Sequence, residues 1–81
     1  MKSLDERLTL AKTILRELSR EPLSRTELDK RVTRKIGTHA SFEGMFRYLI
    51  HKGCIEKSGQ KLRDFYRITE KGRKFLAGLE A

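Results

Sequence analysis

The spacing of apolar residues changes at Gly53, and this change limits the folds that the chain can adopt. Before Gly53, apolar residues recur every three or four positions, which is typical of amphipathic helices. After Gly53, two short segments alternate apolar and polar residues, which is typical of strands. With 81 residues the chain has room for one domain, over 1–81, that joins a helical part to a small β-hairpin.

Residues that favour helix ends bound the predicted helices. The apolar spacing predicts helices over 4–19, 25–34, 39–52 and 70–79. Pro22 disfavours continuation of the first helix. Ser24, Thr38 and Thr69 are the expected N-caps of the other three, because a hydroxyl can accept a hydrogen bond from a free amide of the first turn. Ser24 and Glu27 also have the spacing of a capping box.

The apolar positions of the helices and the hairpin predict one core. We expect the first helix to contribute Leu4, Leu8, Leu10, Ala11, Ile14, Leu15 and Leu18, with Lys12, Arg16 and Glu17 on its polar side. We expect the third helix to contribute Phe42, Met45, Phe46, Leu49 and Ile50. In the hairpin over 54–68, we expect Ile55, Tyr66 and Ile68 to face the core. Pro22 and Leu23 add a very short strand, so the predicted class is mainly α with a small β-hairpin, in the order α-β-α-α-β-β-α.

Basic residues outnumber acidic ones by a wide margin. The chain has 19 Lys and Arg against 11 Asp and Glu, a formal net charge of +8. The excess is largest in 22–37, with five basic residues against two acidic ones, and in 54–68, with four against two. Such a charge suits a polyanionic partner such as DNA, RNA or an acidic membrane. No apolar run approaches the roughly 20 residues of a membrane-spanning helix, so we expect no membrane association.

Residues for catalysis or for cofactor binding do not form a known pattern. The six glycines form neither a phosphate-binding loop nor a dinucleotide-binding fingerprint. His39 and His51 have no second ligand at metal-binding spacing, and the single Cys54 cannot form an internal disulfide. We therefore expect no enzymatic activity, no metal, no cofactor and no small-molecule ligand. The N-terminus lacks the apolar stretch of a signal peptide, which predicts a cytoplasmic, nucleoid-associated protein.

Two stretches of the chain resemble a pattern of small winged-helix regulators. Residues Leu49 to Glu56 match Leu-x-x-Lys-Gly-x-Ile-Glu, and residues Tyr66 to Gly72 are similar to Tyr-x-Leu-Thr-x-x-Gly, with Ile68 in place of the leucine. The resemblance is to small stand-alone archaeal and bacterial winged-helix transcriptional regulators, and it extends over 8–79. It implies a winged helix-turn-helix DNA-binding domain, from an archaeon or an archaeal virus.

The resemblance implies that the third helix enters the major groove of double-stranded DNA and that the hairpin, or wing, contacts the neighbouring backbone. The expected groove-facing residues are Thr38, His39, Ser41, Glu43, Gly44 and Arg47. The expected wing contacts are Lys57, Gln60, Lys61 and Arg63. The expected contacts to the flanking backbone are Arg25, Lys30, Arg31, Arg34 and Lys35. Arg47 is the first candidate for a base contact, because its guanidinium fits the two acceptors of guanine. Glu43 would repel phosphates there unless it accepts a hydrogen bond from a cytosine amine.

The functional hypothesis is sequence-specific or semi-specific binding of double-stranded DNA, by a transcriptional regulator or a small chromatin-associated protein. Two alternatives stay open: a winged-helix protein-interaction module of a transcription or replication assembly, and an RNA or single-strand binder. A homodimer through the terminal helices is also expected, because their apolar residues outnumber what a small core can cover. Those residues are Leu4, Leu8, Leu10, Ile14, Leu15, Leu18, Phe75, Leu76 and Leu79. Twofold pairing implies a pseudo-palindromic site.

Overall fold

Helices and strands follow one another along the chain in the predicted order. The computed structural model describes residues 4–58 and 65–81. Within them lie α1 (Leu4–Arg20), β1 (Leu23–Ser24), α2 (Arg25–Lys35), α3 (His39–His51), β2 (Ile55–Lys57), β3 (Phe65–Ile68) and α4 (Glu70–Glu80). The described part of the chain is therefore mainly helical with a small antiparallel sheet, as expected. None of its helices is long and apolar enough to cross a membrane.

The three expected N-caps form where the sequence places them. The hydroxyls of Ser24, Thr38 and Thr69 each accept a hydrogen bond from the amide three residues later, at 3.2, 3.1 and 3.0 Å. The carboxylate of Glu27, expected to reach back to Ser24, accepts a hydrogen bond from Arg31 Nε at 3.1 Å. A cap satisfies an amide that has no partner within its helix, so each hydroxyl fixes the residue at which a helix begins.

The core forms around α1, which contacts the other three helices and β3. The buried residues of the core are Leu10, Ala11, Ile14, Leu15, Leu18, Leu23, Leu28, Val32, Phe42, Met45, Phe46, Leu49, Cys54, Ile55, Ile68 and Leu76. Phe46 stacks on Phe42 with a centroid distance of 5.3 Å and meets the edge of half-buried Tyr66 at 4.9 Å. The aromatic contacts thereby join α3 to the sheet.

Three expected core residues are exposed instead. Leu4 is 68% exposed and Leu8 is 37% exposed, because the first turns of α1 lie at the rim of the core beside Tyr48 and Phe75. Ile50 is 38% exposed, because Phe42, Met45, Phe46 and Leu49 already fill the buried face of α3.

Two further differences concern α1. Glu17, expected on the polar side, is only 4% exposed, because it lies where α1 meets the basic residues of α2. Leu10, Ile14, Leu15 and Leu18 are buried within one copy of the chain. The apolar excess that motivated a homodimer is therefore smaller than expected, and the homodimer itself stays a prediction.

The sheet is antiparallel with the strand order β1-β3-β2. Leu23 pairs with Tyr66, and Ile55 pairs with Ile68. Ile55 and Ile68 are buried as predicted, and they cover the helical core from the side. The chain enters β2 from α3 through Gly53, whose φ of +79° is a left-handed conformation that glycine adopts without strain.

The close approach of α4 to the start of β2 requires Gly72. A Cβ at this position would overlap the carbonyl oxygen of Cys54 and lie 2.8 Å from Cγ1 of Ile68. Thr69 completes the junction: its hydroxyl donates to the Gly53 carbonyl at 2.6 Å, and its amide donates to the Cys54 carbonyl at 2.9 Å. The beginning of α4 is therefore fixed against the end of α3.

We predict that Gly72→Ala lowers the free energy of unfolding by about 2–3 kcal/mol, because the backbone at Cys54 must move to admit a methyl group. Gly78→Ala is the matched control on the same helix, since a Cβ there meets nothing within 4 Å. This control is expected to stabilise the protein by up to about 1 kcal/mol through helix propensity. Urea unfolding followed by circular dichroism measures both changes, and equal stability of the two variants would contradict the packing described at Gly72.

Candidate nucleic-acid interface

One face of α3 is open to solvent along its whole length. It consists of Ala40, Gly44, Arg47 and His51, which are exposed and lie at i, i+4, i+7 and i+11. We call these four residues the exposed stripe of α3. The first two have small side chains, and a Cβ at Gly44 would meet nothing within 4 Å, so another molecule can approach the helix backbone closely there. The last two residues, Arg47 and His51, supply hydrogen-bond donors.

The edge of α3 that faces α2 carries two expected groove residues, and both have partners. Glu43 pairs with the guanidinium of Arg25, and its side chain is 25% exposed. His39 Nδ1 contacts the carboxylate of Asp29. The negative charges of Glu43 and Asp29 are thus directed between the helices, away from the exposed stripe. This arrangement reduces the repulsion of phosphate that was expected from Glu43.

The remaining expected groove residues lie at the start of α3. The Thr38 hydroxyl accepts from the Ser41 amide and also lies 3.0 Å from the Ser41 hydroxyl, so the two side chains cap the helix together. Thr38 is exposed and Ser41 is half-buried. Of the six expected residues, Gly44 and Arg47 lie on the exposed stripe, whereas the other four lie at the edge or at the cap.

Five residues of α2 were expected to contact the DNA backbone, and they differ in whether a carboxylate of the protein pairs with them. Arg31 lies 3.1 to 3.7 Å from the carboxylates of Glu17, Glu21 and Glu27, and Lys35 donates to Glu17 at 2.6 Å. Arg25 is paired with Glu43. Lys30 and Arg34 are exposed and have no carboxylate partner in the described part of the chain. These two are therefore the residues of α2 whose charges are most available to a polyanion.

Glu17 is the buried centre of the contact between α1 and α2. The hydrogen bond from Lys35 holds the pKa of its carboxyl below the usual value near 4.5, against the opposing effect of burial. The positive charges of Arg20 and Arg31 act in the same direction. Glu17 therefore stays ionised at neutral pH and holds two cations of α2 close to α1.

The described part of the hairpin includes one of the four expected wing residues, Lys57. Lys57 is exposed at the end of β2, across from Tyr66 on β3. Arg67 pairs across the strands with Glu56 at 2.7 Å, so its charge is compensated. The other three expected contacts, Gln60, Lys61 and Arg63, lie outside the described residues.

Sequence reasoning missed two members of the exposed stripe, Ala40 and His51. Their signal was present, because both lie opposite the apolar spacing of Phe42, Phe46 and Leu49 on a helical projection. Alanine carries no group that would mark it as a binding residue. The burial pattern of α3 identifies it by position alone.

The described residues offer little for metal or thiol chemistry. They include no cluster of three or more His, Cys, Asp or Glu side chains placed to hold a metal ion. Burial raises the pKa of the Cys54 thiol, although the nearby charges of Lys71 and Lys52 oppose this shift. The thiol is thus protonated at neutral pH, and protonated thiols are weak nucleophiles.

Comparisons with protein-family models, with curated proteins and with solved structures gave no match to this chain.

We predict that Glu17→Gln lowers the free energy of unfolding by about 1–3 kcal/mol at pH 7, because it removes the charge that compensates Lys35 and Arg31. The pKa of Glu17 is lowered by folding, so its contribution is present above pH 4.5 and is lost as the pH falls below that value. The difference between the variant and the unsubstituted protein should accordingly shrink in acid.

Glu80→Gln is the control, since its pair with Arg16 lies at the surface and should contribute at most about 0.5 kcal/mol. Urea unfolding at several pH values tests the prediction. A difference for Glu17→Gln that is independent of pH would show that the ionised carboxylate is not its cause.

Proposed function

We propose that the chain is a winged helix-turn-helix domain that binds double-stranded DNA. The order of helices and strands is the one expected for this fold, in which two helices are followed by a hairpin. Ile36, Gly37 and Thr38 separate α2 from α3. Gly37 has a φ of +81°, which permits the tight turn between the two helices.

The exposed stripe of α3 is the observation that carries the proposal. Its residues are small or basic. Of the acidic side chains beside it, Glu43 is paired with Arg25, and Asp29 contacts the ring of His39. A helix with these properties suits the major groove, which is about 12 Å wide and admits one helix. Lys30 and Arg34 on α2, which have no carboxylate partner in the described part of the chain, add attraction for phosphate.

Each part of this surface has a distinct role in the proposed complex. Ala40 and Gly44 allow the backbone of α3 to approach the floor of the groove. Arg47 donates to the O6 and N7 acceptors of a guanine, which specifies sequence. Lys30 and Arg34 contact the phosphates that flank the groove and fix the orientation of the protein. The cations paired with carboxylates, Arg25 among them, instead hold α2 in place.

The proposal predicts duplex binding that weakens with salt. Contact with about four phosphates gives a slope of about −4 for the logarithm of affinity against the logarithm of salt concentration. Fluorescence anisotropy with a labelled duplex measures this slope, with RNA and single-stranded DNA of the same sequence as competitors. Absence of duplex binding at about 50 mM salt, or a preference for RNA, would contradict the proposal.

The exposed stripe predicts a difference between two arginines. Arg47→Ala should weaken binding to a preferred duplex, selected from a random pool, by about 1–3 kcal/mol, and weaken binding to random duplexes less. Arg73→Ala removes the same charge from the exposed surface of α4 and should change both affinities by less than about threefold. Equal losses for Arg47→Ala on both kinds of duplex would make Arg47 a backbone contact, and equal effects of the two variants would exclude α3 as the reading helix.

A further inference from the structure

A second surface lies on the side of α3 that faces α1 and α4. Its floor is apolar and consists of Leu4, Leu8, Tyr48 and Phe75, which line one depression beside the core. Leu4, Leu8 and Tyr48 are 68%, 37% and 41% exposed, so this floor is open to solvent. A depression of about 510 Å³ adjoins it and shares Tyr48 and Phe75.

Basic residues surround this floor. They are Arg7 on α1, Lys52 after α3, and Lys71 and Lys74 on α4. The ammonium group of Lys52 lies 5.6 Å from the centre of the Tyr48 ring, which brings it over the floor. Among the described residues, no carboxylate lines either depression, and none pairs with Lys71 or Lys74. We call this surface the lysine-rimmed face.

We propose that the lysine-rimmed face binds an acidic, amphipathic helical segment of a partner protein. An apolar floor with a basic rim is complementary to a helix that presents apolar residues at i, i+3, i+4 and i+7 between carboxylates. Charge complementarity selects this partner, since the rim carries one sign of charge and no carboxylate of the described residues lines it. The inference uses Tyr48 and residues of α1 and α4, whereas the proposed DNA contact uses Arg47 and the rest of the exposed stripe. The two surfaces border each other where Gly44 and Tyr48 line one depression.

Two other occupants fit less well. A second copy of the chain, placed symmetrically on this face, would bring the same basic rims together, and like charges repel. Duplex DNA would satisfy the lysines but would leave the leucines and the phenylalanine without an apolar counterpart. An acidic amphipathic helix satisfies both the floor and the rim.

A labelled synthetic peptide tests the proposal against the full chain by fluorescence anisotropy. The probe has about 15 residues, with leucine at i, i+3, i+4 and i+7 and glutamate at most other positions. A scrambled peptide of the same composition retains the charge and loses the apolar face. We expect the ordered peptide to bind at least about fivefold more tightly than the scrambled one.

Matched variants locate the binding site. Lys74→Glu should weaken binding of the ordered peptide about tenfold, and Leu8→Ser about threefold or more. Arg73→Glu makes the same charge change on the same helix, outside the lysine-rimmed face, and should change binding less than about threefold. Circular dichroism confirms that each variant is folded, and Arg47→Ala should leave peptide binding unchanged.

Three results would overturn the proposal. Equal binding of the ordered and scrambled peptides would reduce the face to a nonspecific charge effect. A loss of duplex affinity in Lys74→Glu as large as that in Arg47→Ala would assign the face to nucleic acid. Sedimentation of the chain as a dimer that Leu8→Glu dissociates would assign it to a second copy.

Discussion

The junction between α3, β2 and α4 determines how the rest of the molecule is arranged. Gly53 turns the chain out of α3, and the hydroxyl of Thr69 both donates to the Gly53 carbonyl and accepts from the Gly72 amide. The absence of a side chain at Gly72 lets the carbonyl of Cys54 reach the first turn of α4. Because α4 packs on α1, this junction also fixes the position of α1, the helix at the centre of the core. The side of α3 that stays open to solvent is the one that this packing does not cover.

Ion pairs decide which basic residues are available to a partner. The net charge of +8 suggests a surface that is basic throughout, yet Arg25, Arg31 and Lys35 are paired with carboxylates of α1, α2 and α3. Several other cations have no carboxylate partner among the described residues, and two sets of them concern binding. Lys30 and Arg34 lie on α2, which packs beside α3, whereas Lys71 and Lys74 lie at the rim of an apolar floor. The two proposals follow from this difference in neighbours. A polyanion requires cations beside a helix that it can approach closely, whereas an acidic amphipathic helix requires cations beside an apolar surface.

Local signals in the sequence were sufficient to predict the secondary structure, but they could not predict which charged residues pair with each other. Ser24, Thr38 and Thr69 begin helices by a hydrogen bond to a residue three positions away, so a short window reveals them. The partners of Glu17 and Glu43 come from other helices, and no local pattern shows that Lys35 and Arg25 lie against them. Apolar spacing likewise predicted too large a core. It cannot show that the first turns of α1, with Leu4 and Leu8, extend past the helices that pack on α1 and are therefore exposed. The tertiary structure was therefore needed to show which of the expected interface residues are paired with carboxylates.

We propose that the exposed stripe of α3, together with Lys30 and Arg34 of α2, contacts double-stranded DNA. Nuclear magnetic resonance of the ¹⁵N-labelled chain, titrated with a short duplex, tests this most directly, because each backbone amide reports on its own surroundings. We expect the largest shift changes at Ala40, Gly44, Arg47 and His51, with smaller changes at Lys30 and Arg34. Changes concentrated on α4 and the first turns of α1, with α3 unaffected, would contradict it.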